Sequence, residues 1–482
     1  MSEEHIEECP SIIEVVNEDS ADIASKKYPG NKEFVHLHSH SLFSPLDGVA
    51  SVEDYFSRAK YLGMNAIAIT DHGTLGAMPD AYFASKDTGI KFIPGCEIYL
   101  NEHHTKLIEY KANGISLPTI RQTDPLLADR MARNRHLVVL AKDNIGFKNL
   151  LHLTTEAWEK DSFYYKPRIW MDKIKQHKEG LIVLSACLNG PISFELVKAV
   201  EAKRENKILL ANEYLQNATN WVKTFKNEFG DDFYFEIQMP GPELKAGYDI
   251  LKLSINLAKK FNIKTVLTGD SHYLHKEDSL VQRALMAIDQ DTTVDDPNMF
   301  SIDTSEGYLK SRAEFRQTFF EQGYEKYASI ADIEIACDNT LEVAAKCQSF
   351  KPDLSPKLPI IDNADNQLSD LVFKRLKEQN LLDSTHKYLC DNKMVTHLEQ
   401  TNIELKRIKE KGFSSYFLIT YDMIRKNKEL GYIIGPARGS SGGSLVCYFL
   451  EIVEMDPLLW GLSFNRFLSP SRGGNMLTVK MD

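Results

Sequence analysis

The chain has 482 residues, of which 43 % are hydrophobic and 26 % charged, so its composition is that of a folded globular protein and excludes a disordered or collagen-like chain. At roughly 150 residues per domain, this length predicts two to four domains. Acidic residues outnumber basic ones, 68 against 57, which gives a formal net charge of −11. Bulk charge therefore does not indicate nucleic-acid binding, and any contact with DNA must be local.

Cysteine usage and the N-terminal segment indicate the compartment. The seven cysteines are widely spaced and include no C-x-x-C pair, which argues against a disulfide framework or a zinc ribbon and favours a reducing compartment. Residues 1–32 are rich in Asp and Glu and lack the basic start and apolar core of a signal peptide. We expect a cytoplasmic protein without a membrane partner, whose acidic tail over residues 1–32 is mobile.

The predicted elements after this tail alternate between short apolar runs and amphipathic segments of helical length. The helix predicted over 52–62 is typical, because Ser51 can cap it and Gly63 ends it. Such alternation predicts an α/β fold with a parallel sheet or barrel, whose polar strand ends gather at one rim. The apolar runs are 34–40, 66–70, 96–100, 136–141, 181–188, 234–238 and 265–274.

A domain boundary is predicted near residue 350. Pro352, Pro356 and Pro359 fall within eleven residues, where neither a helix nor a central strand can continue. We therefore predict one domain over 33–350 and a second over 351–482. The second domain shows helical patterns followed by a Gly/Ser loop over 435–444.

Potential metal ligands follow the predicted strands one after another. His36, His38 and His40 occupy alternate positions, so their imidazoles share one face of an extended strand. Each candidate alone has a plain interpretation, such as a surface histidine pair or a buried cysteine. Their coincidence at successive strand ends instead predicts a polynuclear zinc or manganese centre, which suits phosphoester hydrolysis. Besides these three histidines, the candidates are Asp47, Asp71, His72, Glu97, His136, Cys187, Asp270 and His272.

The chain resembles the polymerase and histidinol phosphatase (PHP) domain in the motifs His38-Ser39-His40, Thr70-Asp71-His72, Gly95-Cys96-Glu97, Ser185-Ala186-Cys187-Leu188 and Asp270-Ser271-His272, together with His136. More narrowly, it resembles the PHP domain that begins bacterial-type DNA polymerase III alpha subunits, the C-family replicative polymerases. The resemblance implies a distorted (βα)7 barrel with about three ions. The nine ligands that it implies, which are also the catalytic residues, are His38, His40, Asp47, His72, Glu97, His136, Cys187, Asp270 and His272. The resemblance also implies metal-dependent 3′–5′ exonuclease activity in members that keep their ligands. Since the set is complete here, we expect an active nuclease.

The second half resembles the first part of the palm of the same polymerases, in the segments 412–419, 435–444, 455–458 and 465–470. A Gly/Ser loop lets backbone N–H groups approach a triphosphate, although a plain flexible turn has the same composition. The resemblance implies an incomplete α+β, nucleotidyltransferase-like palm. The nucleotide-binding residues that it implies are Gly435, Arg438, Gly439, Ser440, Gly443 and Ser444.

The palm motifs stop before the Asp-x-Asp strand that binds the catalytic metals in this family. Asp482 is the last residue, and Asp456 lies in a motif without a metal role in the family. A two-metal polymerase needs these carboxylates to hold its Mg²⁺ ions. We therefore do not expect this chain alone to polymerise DNA unless another chain supplies the carboxylates. The expected partners are primer–template DNA, deoxynucleoside triphosphate, a C-terminal polymerase fragment and replisome proteins.

Two other functions stay open on the sequence. The PHP domain is alternatively a metal-stabilised scaffold that docks the rest of a split polymerase or a proofreading subunit. A small-molecule phosphatase of the histidinol phosphate type would explain the barrel but not residues 400–472. Eight basic against four acidic residues over 402–438 indicate either a surface that tracks phosphates or an ordinary solvated helix face.

Overall fold

The computed structural model describes residues 20–27, 34–241, 246–296, 299, 305–355, 359–437 and 439–469. The chain divides into two compact units, Met1–Lys351 and Pro352–Asp482. Within the described ranges, no helix is long and apolar enough to cross a bilayer. The six cysteines in these ranges are all free thiols.

The first unit contains one sheet of eight strands, in the order β4-β5-β2-β3-β6-β7-β8, with β1 also paired to β2. The strands are β1 Ala66–Ile69, β2 Lys91–Leu100, β3 Arg135–Ala141, β4 Phe163–Tyr164, β5 Lys166–Ile169, β6 Leu181–Leu184, β7 Phe233–Ile237 and β8 Thr265–Leu267.

Helices connect and surround these strands. They are α1 Ser20–Lys27, α2 Val52–Tyr61, α3 Met78–Thr88, α4 His104–Ala112, α5 Leu117–Thr123, α6 Pro125–Ala132, α7 Asn144–Trp158, α8 Met171–Gln176, α9 Pro191–Arg204, α10 Ile208–Phe229, α11 Ala246–Phe261, α12 Ser279–Asp289, α13 Arg312–Glu321 and α14 Ile330–Lys346. Helix α2 begins as predicted, because the Ser51 hydroxyl accepts a hydrogen bond from the Asp54 N–H.

The extended segment 34–40 closes the sheet into a barrel. Within it, His36 bridges Ile67 of β1 and Ser39 bridges Ser271 after β8, both in parallel. Since β1 pairs with β2, the ring passes through seven extended segments: 34–40, β1, β2, β3, β6, β7 and β8. The predicted distorted seven-stranded barrel is therefore confirmed.

The barrel is not all parallel, contrary to the simplest expectation from the alternation. Strand β3 is antiparallel to both β2 and β6, whereas β1–β2, β6–β7 and β7–β8 are parallel pairs. The reason is the connection from β2 to β3, which consists of three helices, α4 to α6, and returns the chain to the rim where β2 ended: Leu100 pairs with Arg135. The start of β3 therefore lies at this rim.

The strands that form the barrel are buried on both faces, which explains their continuous apolar sequence. Leu137 and Val139 pack with the helices outside the barrel, and Val138 and Leu140 pack with residues of the other strands. All four are fully buried. Burying each such side chain contributes about 1.5–3 kcal/mol, so the barrel is a rigid support for its rim.

Part of the segment predicted as a mobile tail is helical. Residues 20–27 form α1, in which the Asp22 carboxylate accepts a hydrogen bond from the Tyr61 hydroxyl at 2.8 Å and Lys27 forms an ion pair with Glu321. These contacts place α1 against α2 and α13. The rest of the segment, residues 1–19 and 28–32, lies outside the described residues.

The second unit is mainly helical. It contains α15 Ala364–Glu378, β9 Tyr388–Cys390, β10 Lys393–Val395, α16 His397–Glu410, α17 Ser414–Glu429 and α18 Leu445–Phe449. The two strands form an antiparallel hairpin, whose turn residues Asp391 and Asn392 both have positive φ, as a tight hairpin turn requires. An apolar cluster under α15, α16 and α18 includes Val372, Ile408 and Val446.

Candidate metal centre

The nine predicted ligands meet at one rim of the barrel. They come from segment 34–40, from the turns after β1, β6 and β8, from β2, from the start of β3 and from the turn around Asp47. Each member lies within 3.7 Å of another, the longest such distance being Cys187 Sγ to His136 Nδ1. The fold therefore gathers nine side chains of types that can bind metal ions, from positions up to 234 residues apart in the sequence.

Glu97, in β2, is fully buried and lies within 4 Å of four imidazoles of the cluster. Its Oε2 lies 2.8 Å from His38 Nε2 and 3.9 Å from His40 Nε2. Its Oε1 lies 2.8 Å from His72 Nδ1 and 2.7 Å from His136 Nδ1. The two carboxylate oxygens thus face two different groups of imidazoles, as a carboxylate shared between two metal ions would.

Two aspartates complete the groups. Asp270 Oδ1 lies 3.2 Å from His38 Nε2 and 3.3 Å from His40 Nε2. Asp47 Oδ2 lies 3.0 Å from His72 Nε2 and 3.3 Å from His272 Nε2. Each carboxylate therefore joins a pair of imidazole nitrogens rather than a single one.

The donor atoms form three overlapping groups in which all atoms lie within 4.8 Å of one another. Such spacing fits ligands around a common ion, because metal–ligand distances are about 2.0–2.3 Å. The groups are His38, His40, Glu97 and Asp270; His72, Glu97 and His136; and His40, His72 and His272.

Unpaired buried atoms support the fit of these residues to metal ions. Glu97 Oε1, Asp270 Oδ1, His40 Nε2 and His72 Nδ1 are buried and form no hydrogen bond with protein groups, although Glu97 Oε1 and His72 Nδ1 are only 2.8 Å apart. Buried polar atoms normally have partners, because leaving one unpaired costs about 1–3 kcal/mol. A metal ion bound between these atoms would provide the missing partner, since its ligand atoms lie close together without forming hydrogen bonds to one another.

Carboxylates hold three of the imidazoles in the charged form. Against the effect of burial, Asp270 and Glu236 raise the pKa of His38 well above its ordinary value. Burial opposes this charge, but Glu97 and Asp47 raise the pKa of His72 to about 10. Against the same effect of burial, Asp47 and Asp270 raise the pKa of His272 to about 9. Asp47 in turn is buried, yet the imidazoles of His272 and His72 hold its pKa well below its ordinary value. In the protein without bound ions, protons on these imidazoles therefore balance the negative charge of the carboxylates.

The neighbouring imidazoles lower the pKa of both Glu97 and His40, which leaves Glu97 charged and His40 neutral. Burial opposes ionisation of Glu97, yet His136 and His72 hold its pKa well below the ordinary value. Burial and the cations at His72 and His272 together lower the pKa of His40 to about 3. His40 is therefore a neutral imidazole at physiological pH, which is the form that coordinates a metal ion.

Sequence reasoning missed the residues that orient the ligands. Glu236, in β7, accepts a hydrogen bond from His38 Nδ1 at 2.7 Å. Such a partner fixes the orientation of the imidazole and would leave Nε2 available to hold a metal ion. Gln282 Nε2 donates to Asp47 Oδ1 at 2.8 Å. A single glutamate within the apolar run 233–237 was the available signal for Glu236.

Asp71 fixes the turn that leads to Asp47. Its carboxylate accepts hydrogen bonds from the Ser41 N–H at 2.7 Å, the Ser41 hydroxyl at 2.9 Å and the Ser44 hydroxyl at 2.8 Å. Gly48 is required beside it, because a Cβ there would lie 2.0 Å from the Ser41 carbonyl oxygen. The motif containing Asp71 was visible in the sequence, but its supporting role was not.

His36 does not join the cluster, although its position alternates with those of His38 and His40. Its Nε2 lies 2.8 Å from the Lys310 carbonyl oxygen, and its ring packs edge-on against Phe34. Burial lowers its pKa to about 4. His36 is thus a buried neutral histidine that supports the barrel.

The predicted nucleotide-binding loop belongs to the second unit and falls into an exposed and a buried part. Arg438 lies outside the described residues. The described residues of the exposed part are Gly435, Gly439 and Ser440, and those of the buried part are Gly443 and Ser444.

The buried end of the loop is anchored. The Ser444 hydroxyl donates to Glu404 Oε2 at 2.8 Å. It also accepts from the Cys447 N–H and so caps the N-terminus of α18. A Cβ on Gly443 would lie 2.6 Å from the Ser463 carbonyl oxygen. Asp456 forms a hydrogen bond with His397 Nε2 at 2.8 Å and is buried.

Comparisons with known proteins match both units. The PHP domain matches residues 36–240, and the bacterial DNA polymerase III alpha NTPase domain matches residues 367–475. The resemblance to DNA polymerase III alpha subunits that the sequence motifs indicated is therefore confirmed.

Three curated relatives are DNA polymerase III alpha subunits. The protein from Borreliella burgdorferi is 33% identical over 442 residues, covering 91% of this chain and 34% of the relative. The protein from Aquifex aeolicus is 34% identical over 461 residues, covering 92% and 35%. That from Treponema pallidum is 35% identical over 445 residues, covering 91% and 33%. The chain thus spans about a third of the length of these relatives.

One solved structure, a candidate metal-dependent phosphoesterase from Bifidobacterium adolescentis, aligns with 51% of this chain and 88% of its own. The sequence identity is 15% and the TM-score is 0.24, which is too low to support a conclusion.

Proposed function

We propose that this chain, which carries a PHP domain followed by a region matching the bacterial DNA polymerase III alpha NTPase domain, is part of a replicative DNA polymerase. We further propose that its first unit is a metal-dependent phosphodiesterase that removes nucleotides from the 3′ end of DNA. The nine rim residues would hold about three zinc or manganese ions.

The observation that carries this proposal is the position of Glu97. Its Oε1 lies 2.7–2.8 Å from two imidazoles, and its Oε2 lies 2.8 Å from one imidazole and 3.9 Å from another, so this buried carboxylate would serve two candidate ion positions. Hydrolytic sites that contain two or more metals are built around shared ligands of this kind. When bound, such ions lower the pKa of a water molecule and neutralise charge on the phosphate.

The protein's own residues would keep the ligands in place during the reaction. Glu236 orients His38 through Nδ1, and Asp71 holds the turn that precedes Asp47. Because these partners are buried, they contribute rigidity without competing for substrate. Precise placement matters, since small displacements of catalytic groups reduce rates strongly.

The substrate would enter from the less buried side of the cluster. His38, His40 and Glu97 have no exposed side-chain surface, whereas the Asp47 and Asp270 side chains are 25% and 21% exposed. The exposed fraction of His136 is 19%. A phosphate group would therefore meet the rim at these three residues.

A scaffold role remains the second candidate because a cluster this deeply buried must also affect stability. His38, His40 and Glu97 would be left without their shared partner if the ions were removed, so metal removal should lower the melting temperature in either case. Only hydrolysis distinguishes the enzyme from the scaffold.

The test is metal-dependent hydrolysis of simple esters by the purified chain after chelation and reloading with Mn²⁺ or Zn²⁺. We expect cleavage of bis(4-nitrophenyl) phosphate, a diester, to exceed cleavage of 4-nitrophenyl phosphate, a monoester. His40→Ala should abolish the activity, and His152→Ala, an exposed histidine outside the cluster, should not. Preference for the monoester would favour a small-molecule phosphatase, and inactivity on both with full metal loading would favour the scaffold.

In the second unit of the chain, the exposed part of the loop over residues 435–440 would bind the nucleotide in the polymerase. Primer–template DNA, deoxynucleoside triphosphate and further replisome proteins are the proposed partners. Residues Gly443 and Ser444 would anchor this loop rather than contact the nucleotide, since both are buried and Ser444 is bonded to Glu404. Tighter binding of a deoxynucleoside triphosphate by the parent than by a Ser440→Pro variant would support the assignment.

A further inference from the structure

An exposed aromatic surface begins one residue beyond the metal cluster. Trp158 ends α7, and Phe163 and Tyr165 belong to the hairpin of β4 and β5. Their exposed fractions are 55%, 40% and 82%. We call these three residues the aromatic strip.

The strip is connected directly to the cluster. The Trp158 indole N–H donates to the carbonyl oxygen of Gly73 at 2.7 Å, and Gly73 follows the ligand His72. Gly73 must be glycine, since its φ is 61° and a Cβ would lie 2.6 Å from Pro167 Cγ of β5. The hairpin is thus packed against the segment that carries His72.

A second connection runs through Tyr99. Its ring stacks on His72 at 5.9 Å and meets His136 edge-on at 5.5 Å, and Lys166 of the hairpin lies 5.8 Å from its centroid. The aromatic groups therefore continue from the metal ligands, through Tyr99, to the exposed hairpin.

The geometry of Tyr165 points to a function for its exposed ring. Tyr164 pairs with Lys166 across the hairpin, so Tyr165 alone forms the turn, with a φ of 58°. Bulky residues rarely adopt this left-handed conformation, and glycine or asparagine would adopt it more easily. The Tyr165 ring meets Tyr164 edge-on at 4.7 Å and is 82% exposed. Backbone strain of this kind is often found at functional sites.

We propose that the aromatic strip binds unpaired nucleotides at the 3′ end of a DNA strand and presents the terminal phosphodiester to the cluster. This inference rests on the proposed nuclease function and adds its substrate class, a single-stranded or frayed end. Trp158 and Phe163 already stack on each other at 5.5 Å and 28°, and their free faces offer platforms for bases.

Stacking, rather than charge, would carry this binding. The charged residues of segment 158–166 are Glu159, Lys160, Asp161 and Lys166, which balance one another. Every base has a stacking face, but a paired base is already stacked on its neighbours, so the strip would discriminate unpaired from duplex ends. An open cavity of about 500 Å³, lined by Thr74, Leu75, Thr154, Thr155, Trp158 and Glu159, leaves room beside the indole.

The test measures binding separately from cleavage. Fluorescence anisotropy is recorded with a 5′-labelled single-stranded oligonucleotide and with a blunt duplex, using the full chain carrying His40→Ala so that no DNA is cut. In this background, Trp158→Ala should weaken single-strand binding by about 5- to 150-fold, the range for losing one stacked base. Phe83→Ala, which removes an equally exposed aromatic ring of α3, 56% exposed, should have no effect.

Tyr165→Gly provides a readout that a structural role would not give. We expect weaker single-strand binding together with an unchanged or higher melting temperature, because glycine relieves the left-handed turn. The ratio between parent and variant affinities should stay constant from 50 to 200 mM salt. Equal affinities of the parent, Trp158→Ala and Tyr165→Gly for the single-stranded oligonucleotide would overturn the proposed role of the aromatic strip, even if the parent chain cleaves DNA. Weakened binding by both variants would support it, even if the nuclease assay fails.

Discussion

Glu404 makes the stability of the second unit depend on pH. It is completely buried and accepts hydrogen bonds from Gln400 Nε2 at 3.0 Å, the Ser444 hydroxyl at 2.8 Å and the Val446 N–H at 3.1 Å. Burial outweighs these bonds and raises its pKa from 4.5 to about 7. No cation pairs with it among these contacts.

The sign of the effect follows from the raised pKa. Between pH 4.5 and about 7 the folded state binds the Glu404 proton more tightly than the unfolded state does, so the free energy of unfolding falls as the pH rises. Each unit of pKa difference corresponds to about 1.4 kcal/mol, and the full loss by pH 8 is therefore about 3 kcal/mol. Below pH 4.5 both states are protonated and the loss disappears.

Comparison with Glu404→Gln isolates this contribution, because the amide keeps the shape of the side chain and cannot ionise. Urea unfolding of both proteins is followed by 5-fluorotryptophan NMR at Trp460, the one tryptophan after residue 351. We expect the parent to lose about 3 kcal/mol relative to the variant between pH 4.5 and pH 8. A difference between the two proteins that does not change with pH would refute the reasoning.

Three substitutions test the candidate metal centre and the residues that support it. Glu97→Gln removes the shared charge, so we expect the metal content, measured by inductively coupled plasma mass spectrometry, to fall by at least one ion per chain; an unchanged content would contradict the sharing. Glu236→Gln should weaken metal affinity by about 10- to 100-fold in competition with a chelator, because His38 loses its charged partner. Asp71→Asn should reduce the free energy of unfolding by about 1–3 kcal/mol in urea, since the amide NH₂ cannot replace an oxygen that accepts from Ser41 or Ser44; no loss would show that this turn is held by other contacts.

The sequence pattern predicted a parallel sheet or barrel with a polar rim because such a pattern depends on local signals, whereas the distorted seven-stranded barrel and the set of nine ligands followed from the resemblance to the PHP domain. Apolar runs at regular intervals predicted the strands, and polar residues after those runs predicted the rim. The sequence did not predict that segment 34–40 closes the barrel. Its bridges to Ile67 and Ser271 join parts of the chain that are far apart in the sequence.

Strand direction and ligand support could not be derived from periodicity. His136 begins β3, and its place at the rim depends on β3 being antiparallel to β2, which an alternating apolar pattern does not specify. Glu236 looks like one charged residue in an apolar strand until His38 is placed 2.7 Å away. His36 shows the reverse case, where a correct spacing in the sequence leads to a different environment in the fold.

The most direct measurement of the central claim follows the length of a primer labelled at its 5′ end and annealed to a template. The purified chain, loaded with Mn²⁺ or Zn²⁺, is compared with His40→Ala and with His152→Ala. We predict a ladder of shortened primers from the parent and from His152→Ala, absent with His40→Ala and after chelation. Full-length primer in every lane, from protein whose metal content has been verified, would contradict the account.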